Sequence, residues 1–353
     1  MIDLFSDTKT KPTPGMRQFM AQAEVGDEQK GEDPTVNVLC ERVAAMLGHE
    51  DAVYLPSGTM CNELAIHVHC RPGEQVICDR TAHVITAEGG GPAALSGVMI
   101  NAIHGHRGKF TGAQLAAVAS KGSRYQPASR LVCIEQTSNL GGGTPWRVDE
   151  VNDVIAHARK LNLTVHMDGA RLLNATTELK VEPIVFTKGC DSAWIDFSKG
   201  LGAPVGAVLT GTKAFIQEAW RYKQMWGGAM RQAGIIAAGA LYALDHHVDR
   251  LAEDHQNAKM LARALVQIPG IALDASTVET NIVLFDVAGL GITGEQFVSE
   301  LRKHGVVTGV FGPTVVRAVT HLDVSKDDTQ KAIEAVRALA RNLDPPRRDT
   351  AQR

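Results

Sequence analysis

A lysine set among small residues, a carboxylate closing an apolar run and a Ser-Gly-Thr step before a helical stretch are the features of this 353-residue chain that could do chemistry. Lys199 lies in SKGLG (198–202), where its neighbours leave room for a ligand. Most lysines are solvated charges, but one that is desolvated or set beside other cations gives up its proton and attacks carbonyl carbon. Asp168 follows TVHM and precedes GARL; alone it could be a helix cap or a partner of Arg171. Ser57, Gly58 and Thr59 follow AVYL, where they would open a helix whose free N–H groups and dipole suit a phosphate. Alone they make an ordinary cap. Together the three features supply what pyridoxal phosphate needs: an amine for its aldehyde, an anion for its protonated ring nitrogen and a cup for its phosphate.

Elements that could position these residues are legible. Short β-rich runs at 52–55, 74–79, 98–103, 130–135, 163–168, 193–197 and 206–211 alternate with helical spacing over 59–70, 111–121, 149–161 and 212–225. Such alternation predicts an α/β fold with a mostly parallel sheet covered by helices on both faces. Ligands of open α/β sheets bind at the carboxyl ends of strands, where Asp168 and Lys199 fall. After an apolar helix around 231–248 come a helix (250–266), a strand (280–287), a helix (293–304), two strand-like runs and a last helix (326–342), the pattern of a smaller α+β domain. The expected division is an N-terminal arm (1–30), a large domain (31–249), a small C-terminal domain (250–342) and a flexible tail (343–353).

Composition bounds the function. At 44% hydrophobic and 21% charged the chain can bury a sizeable core, and a net charge of −3 with interspersed signs offers no basic surface for nucleic acid. No stretch approaches the roughly 20 apolar residues of a spanning helix, and the opening MIDLFSDTKTKPTPG has no apolar leader core. Six cysteines without CxxC spacing fit a reducing cytoplasm better than disulfides or zinc. The pairs His67/His69, His104/His106 and His246/His247 have no carboxylate or thiolate to complete a metal geometry, so no metal is expected.

The motifs DLFSDTKTKPT, VGDEQKGEDPTVN, LPSGTMCN, AHVITAEGGG, MDGARLLNA, SKGLGAPVG, GGAMRQAGI and VVRAVTHLD, in this order over 1–342, carry a resemblance to the low-specificity L-threonine aldolases of the beta-eliminating lyase family, which have the aminotransferase-like pyridoxal phosphate fold. The resemblance implies that Lys199 forms the Schiff base, Asp168 pairs with the ring nitrogen, and Gly58 and Thr59 hold the phosphate. It implies that His83 stacks on the ring and serves as acid or base with Glu88 behind it, and that Arg231 reaches a phosphate across a homodimer or homotetramer with shared sites. Ser6, Arg171 and Arg317 match the groups that bind the substrate carboxylate. The implied reaction is retro-aldol cleavage of an L-3-hydroxy-α-amino acid to glycine and an aldehyde, with β-elimination from a related amino acid as the alternative.

Three positions depart from the family pattern: Phe5 replaces an arginine, Lys30 a tyrosine and Ser138 a histidine. Serine for imidazole would open room beside the β-carbon and favour a bulkier substituent such as the phenyl of phenylserine. Lys30 points the other way, towards an acidic substituent.

Overall fold

The computed structural model describes residues 1–343, so the tail expected over 343–353 lies, Leu343 apart, outside the described residues. The chain divides into two compact units, Thr10–Leu251 and Met1–Lys9 together with the residues from Ala252 onward. The first strand, β1 (Ile2–Asp3), belongs to the smaller unit. The larger unit opens with α1 (Pro14–Ala21) and α2 (Pro34–Leu47), each with proline in its first turn and a cap, Thr13 or Asp33, whose side chain accepts the N–H of Met16 or Val36.

Strands and helices then alternate: β2 (Asp51–Leu55), α3 (Gly58–His69), β3 (Gln75–Asp79), α4 (His83–Thr86), α5 (Gly91–Ser96), β4 (Met99–Ile103), α6 (Gly112–Val118) and β5 (Ser129–Glu135). They continue as α7 (Val148–Lys160), β6 (Thr164–Asp168), α8 (Leu172–Leu179), α9 (Ile184–Thr187), β7 (Ser192–Asp196), β8 (Ala207–Gly211), α10 (Lys213–Met225) and α11 (Gly234–His246). Seven strands form one sheet in the order β2-β8-β7-β6-β5-β3-β4. Only β8 runs against its neighbours, so the sheet is mostly parallel as the alternation predicts. Every residue of β7 and β8 is buried, which a strand covered on both faces requires and which explains their unbroken apolar runs.

Four parallel strands, β3, β5, β6 and β7, each close on an acid: Asp79, Glu135, Asp168 and Asp196. Buried carboxylates are costly unless bonded, so each must find donors nearby. Asp79 accepts Thr81 N (2.8 Å) from the turn that follows and Gly105 N (3.0 Å) from the segment after β4. The other three build the site described below.

The smaller unit contains α12 (Leu251–Leu265), β9 (Ile282–Asp286), α13 (Gly294–Lys303), β10 (Val306–Val307), β11 (Gly309–Val310), β12 (Val315–Val319) and α14 (Lys326–Leu343). An antiparallel sheet β11-β12-β9 and a parallel β1–β10 pair are joined by a core in which Phe285 and Phe297 meet edge-on at 5.7 Å. Among the described residues no helix is long and apolar enough to cross a membrane.

Candidate active site

Lys199 follows β7 by three residues, and its Nζ is paired with Asp196, the acid that ends the strand. Asp196 is itself fixed by its other oxygen, which accepts Ser198 N (2.7 Å) and Ser198 Oγ (2.8 Å). The amine lies 5.7 Å from the centre of the Trp194 ring, and its side chain is 18% exposed, enough for a ligand to reach it. Sequence reasoning chose Lys199 and passed over Asp196. The signal was available in SAWIDFSK, where an acid three residues before a strand-end lysine can turn back to it.

Asp168 ends the adjacent strand β6 and is buried. Its Oδ1 accepts Ala170 N (3.0 Å) and its Oδ2 accepts the amide of Asn62 (2.8 Å). Asn62, wholly buried on α3, is the centre of this region. Its Nδ2 also donates to Glu88 Oε1 (2.7 Å), while its Oδ1 takes the Trp194 indole N–H (2.7 Å) and faces His166 Nε2 (3.1 Å). An indole can only donate and the two carboxylates can only accept, so the amide has one allowed orientation and its capacity is filled. The relay continues outward: His166 Nδ1 lies 2.8 Å from Ser192 Oγ, which is 2.8 Å from His69 Nε2. Burial pushes the imidazoles down, His166 to about 3 and His69 to about 4, so both are neutral and Asn62 faces an N–H of uncharged His166.

His83 opens α4. Its backbone N–H donates to Glu135 Oε2 (2.6 Å), so the acid ending β5 fixes where this residue sits. Its Nδ1 lies 2.8 Å from Glu88 Oε1, and Glu88 is fully buried while the imidazole is 36% exposed. The bond to Glu88 raises the imidazole's proton affinity, burial offsetting part of the effect. Glu135 also accepts Asn139 N (2.7 Å), and burial followed by the nearby charge of Asp168 pushes its carboxyl up to about 7. Asp168 and His83 are thus joined through Asn62 and Glu88.

Helix α3 opens at Gly58 and Thr59, the residues expected to hold a phosphate. Ser57 caps it by accepting Met60 N (3.2 Å), and Thr59 is exposed in its first turn. A Cβ at Gly58 would overlap the Trp194 ring, so glycine is required for the helix start to pack on β7. Arg171 is buried three residues beyond Asp168, its backbone N–H bonded to Gln136 O (3.0 Å).

The other expected residues have these surroundings. Ser138 is buried in the loop after β5, its Oγ accepting Gly141 N (3.2 Å), and a Cβ at Gly108 or Gly141 would run into that hydroxyl. Arg231 is exposed and bridges to Asp27 at 2.8 Å, while Lys30 is exposed in the adjacent 28–30 turn, where Glu28 N donates to Arg231 O (3.0 Å). In the smaller unit, Ser6 is buried and accepts Thr8 Oγ1 (2.9 Å), and Arg317 on β12 donates to Phe5 O (3.2 Å) with its guanidinium 4.2 Å from the Phe311 ring. That contact brings Arg317 and the segment of Ser6 together. The histidine pairs have other partners: His67 faces Ser96 Oγ (3.2 Å), and His247 Nδ1 faces Leu201 O (2.6 Å).

A fold with a mostly parallel sheet, a lysine and an acid at neighbouring strand ends and a helix N-terminus beside them defines a class of cofactor-dependent enzymes. The family of beta-eliminating lyases matches residues 3–288. Low-specificity L-threonine aldolase 1 of Arabidopsis thaliana is 35% identical over 98% of both chains, and the low specificity L-threonine aldolase of Escherichia coli K12 is 36% identical over 96% of this chain and 99% of its own. Among solved structures, a Leishmania major threonine aldolase superposes with a TM-score of 0.83 over 96% of this chain and all of that one, at 20% identity, which shows the shared fold. The chain belongs to the beta-eliminating lyase family, among the low-specificity L-threonine aldolases.

Pyridoxal 5′-phosphate is the cofactor of this family, and the donor set fits it. Lys199 offers an amine, Asp168 a buried anion whose Oδ2 is met by an amide rather than a cation, and α3 an exposed first turn.

Proposed function

We propose that the protein cleaves L-3-hydroxy-α-amino acids, threonine or aryl analogues such as phenylserine, to glycine and an aldehyde. The observation that carries the reading is the set of Lys199, Asp168 and His83 beyond the carboxyl ends of the interior strands β7, β6 and β3, in a chain aligned nearly end to end with named threonine aldolases. Bound pyridoxal phosphate supplies an electron sink for the pair left on Cα when the Cα–Cβ bond breaks.

The chain's own residues do the rest. Lys199 would hold the cofactor through its amine, and Asp196, paired with that amine, is placed to take or return its proton. Asp168 pairs with the protonated ring nitrogen, and Gly58 and Thr59 hold the phosphate. His83 takes the β-hydroxyl proton at Nε2, because Nδ1 is committed to Glu88. Arg171 is assigned to the substrate carboxylate, and in the smaller unit Arg317 and Ser6 are suited to a carboxylate in the same sense. Ser138, Phe5 and Lys30 are assigned to the substrate's β-substituent.

A homodimer or homotetramer in a cytoplasmic setting completes the proposal. Arg231, 61% exposed and assigned to a neighbour's phosphate, lies between exposed Met225 and Ile235, a surface suited to burial against a second copy. The experiment is product analysis over a panel of threonine, allo-threonine, phenylserine and hydroxyaspartate. Glycine plus aldehyde supports the aldolase; ammonia plus a keto acid supports the eliminating lyase.

A further inference from the structure

Glu63 follows Asn62 on α3 and is buried, 3% exposed, yet neither of its carboxyl oxygens meets a hydrogen-bond donor. Oε2 of Glu88 also lacks a donor, and the two carboxyl groups face each other within side-chain hydrogen-bonding reach. Room for this contact comes from Gly91 at the start of α5, where a Cβ would overlap Glu63 Oε1.

Charges on the surrounding elements do not neutralise Glu63. On α3, His67 is turned to Ser96 of α5 and packs edge-on against Tyr222 of α10. On α10, Lys223 is paired with Glu28. From β5 and β6, Glu135, Asp168 and His166 are bound to His83 N, Asn62 and Asn139 N. Glu88 is the charged neighbour that acts on Glu63. Two carboxylates in contact cannot both ionise without a large penalty, and two acceptors with no protein donor are satisfied directly by a proton between them. That proton belongs on Glu63, because Glu88 already receives the Asn62 amide and faces His83 at Oε1, donors that favour its charged form. Burial, then the Glu88 charge, push Glu63 up to about 8.

We propose that Glu63 is a positioning residue for His83: it carries a proton and donates it to Glu88 Oε2, which fixes Glu88 as a single anion with Oε1 on His83 Nδ1 and thereby sets the proton affinity of Nε2. The inference rests on the reading of His83 as the base. A carboxylate that accepts a third hydrogen bond is less basic, so loss of the Glu63 donor raises His83's proton affinity. Ionising Glu63 in alkali adds a second negative charge behind Glu88 and acts in the same direction.

The test uses the holoenzyme with Glu63→Gln, which keeps a neutral donor, and Glu63→Leu, which removes it. Infrared spectroscopy should show a protonated-carboxyl component that titrates away near pH 8 in the wild type and is missing from both variants, leaving the Glu135 component that titrates near pH 7. In the pH profile of kcat/KM, Glu63→Leu should move the acid limb up by about one pH unit, a roughly tenfold loss on that limb, and Glu63→Gln should restore it. Glu63→Gln should also lack the alkaline inflection of the wild type, which keeps the test usable if the leucine variant does not fold. A wild type with no protonated-carboxyl component titrating near pH 8, such a component that survives Glu63→Gln, or variant profiles that superimpose on the wild type overturn the proposal. His83→Phe separates the two readings: an acid limb that survives this change removes His83 as the base, and the positioning role with it, whatever the infrared band shows.

Discussion

Asn62→Leu is the substitution that most sharply tests how the site is held. Leucine fills nearly the same volume, so packing is conserved and the loss is confined to hydrogen bonds. Four contacts disappear at once: those to Asp168 Oδ2, Glu88 Oε1, the Trp194 N–H and His166 Nε2. Glu88 keeps His83, and His166 can shift its proton to the other nitrogen, but the Trp194 N–H is stranded in the core and Asp168 Oδ2 loses a charge-assisted bond. A stranded buried donor costs about 1–3 kcal/mol and a bond to a charged group about 1.5–3 kcal/mol, so the expected destabilisation is about 4 kcal/mol. For a unit of this size that lowers the thermal midpoint of the holoenzyme by about 8–15 °C. Asn62→Asp keeps the acceptor but turns an oxygen towards two carboxylates, so it should be destabilised above pH 6 and recover in acid, whereas the leucine variant should show no such recovery. Cofactor affinity, read by spectral titration, should fall about tenfold in both as Asp168 is disturbed. Midpoints within about 1 kcal/mol of the wild type for both variants would refute Asn62 as the organising residue.

Further outcomes follow from the same geometry. Between pH 4.5 and 6.5 two trends oppose each other: His166, His69, His49 and His247, held neutral by burial, remove stability as pH falls below 6.5, while Glu63 and Glu135, held protonated, remove it as pH rises above 4.5. Above pH 6.5 the two carboxyls and His83, whose proton affinity the fold raises, all remove stability as pH rises, so urea midpoints should fall between pH 6.5 and 8; a rise over that interval would contradict the assignment. Gly58→Ala should cost about 1–3 kcal/mol through its clash with Trp194 and weaken cofactor retention on dialysis. Arg317→Ala should lower kcat/KM about 10- to 100-fold, mainly through KM, if it binds the carboxylate; an unchanged KM would remove that role.

How much of this could be read from the chain depends on the period of each element. Strands buried on both faces write themselves as apolar runs, and the residues just beyond them, Asp168 and Lys199, stand out for that reason. The acids that end β5 and β7 were equally visible in RLVCIE and SAWID, but their partners were not: Glu135 binds backbone N–H groups and Asp196 binds a lysine three residues on. Helix α3 hides its content more thoroughly. Cys61 through Ile66 are six consecutive buried residues, so the helix has no solvent face there and Asn62 and Glu63 look from sequence like an exposed polar step. Nothing in the spacing of His166, Ser192 and His69 signals a relay, because they meet only when α3, β6 and β7 pack. Ser138 shows the converse: its departure from the family pattern was plain, but the backbone of Gly108 and Gly141 pressed around it was not.

The central claim, retro-aldol cleavage at a site centred on Lys199, is tested most directly by following both products of the purified holoenzyme on threonine and phenylserine beside Lys199→Ala. The account predicts a visible cofactor absorbance and equimolar glycine and aldehyde from the wild type, and loss of both absorbance and turnover in the variant. Ammonia and a keto acid in place of glycine, or a Lys199→Ala protein that keeps its colour and its activity, would contradict it.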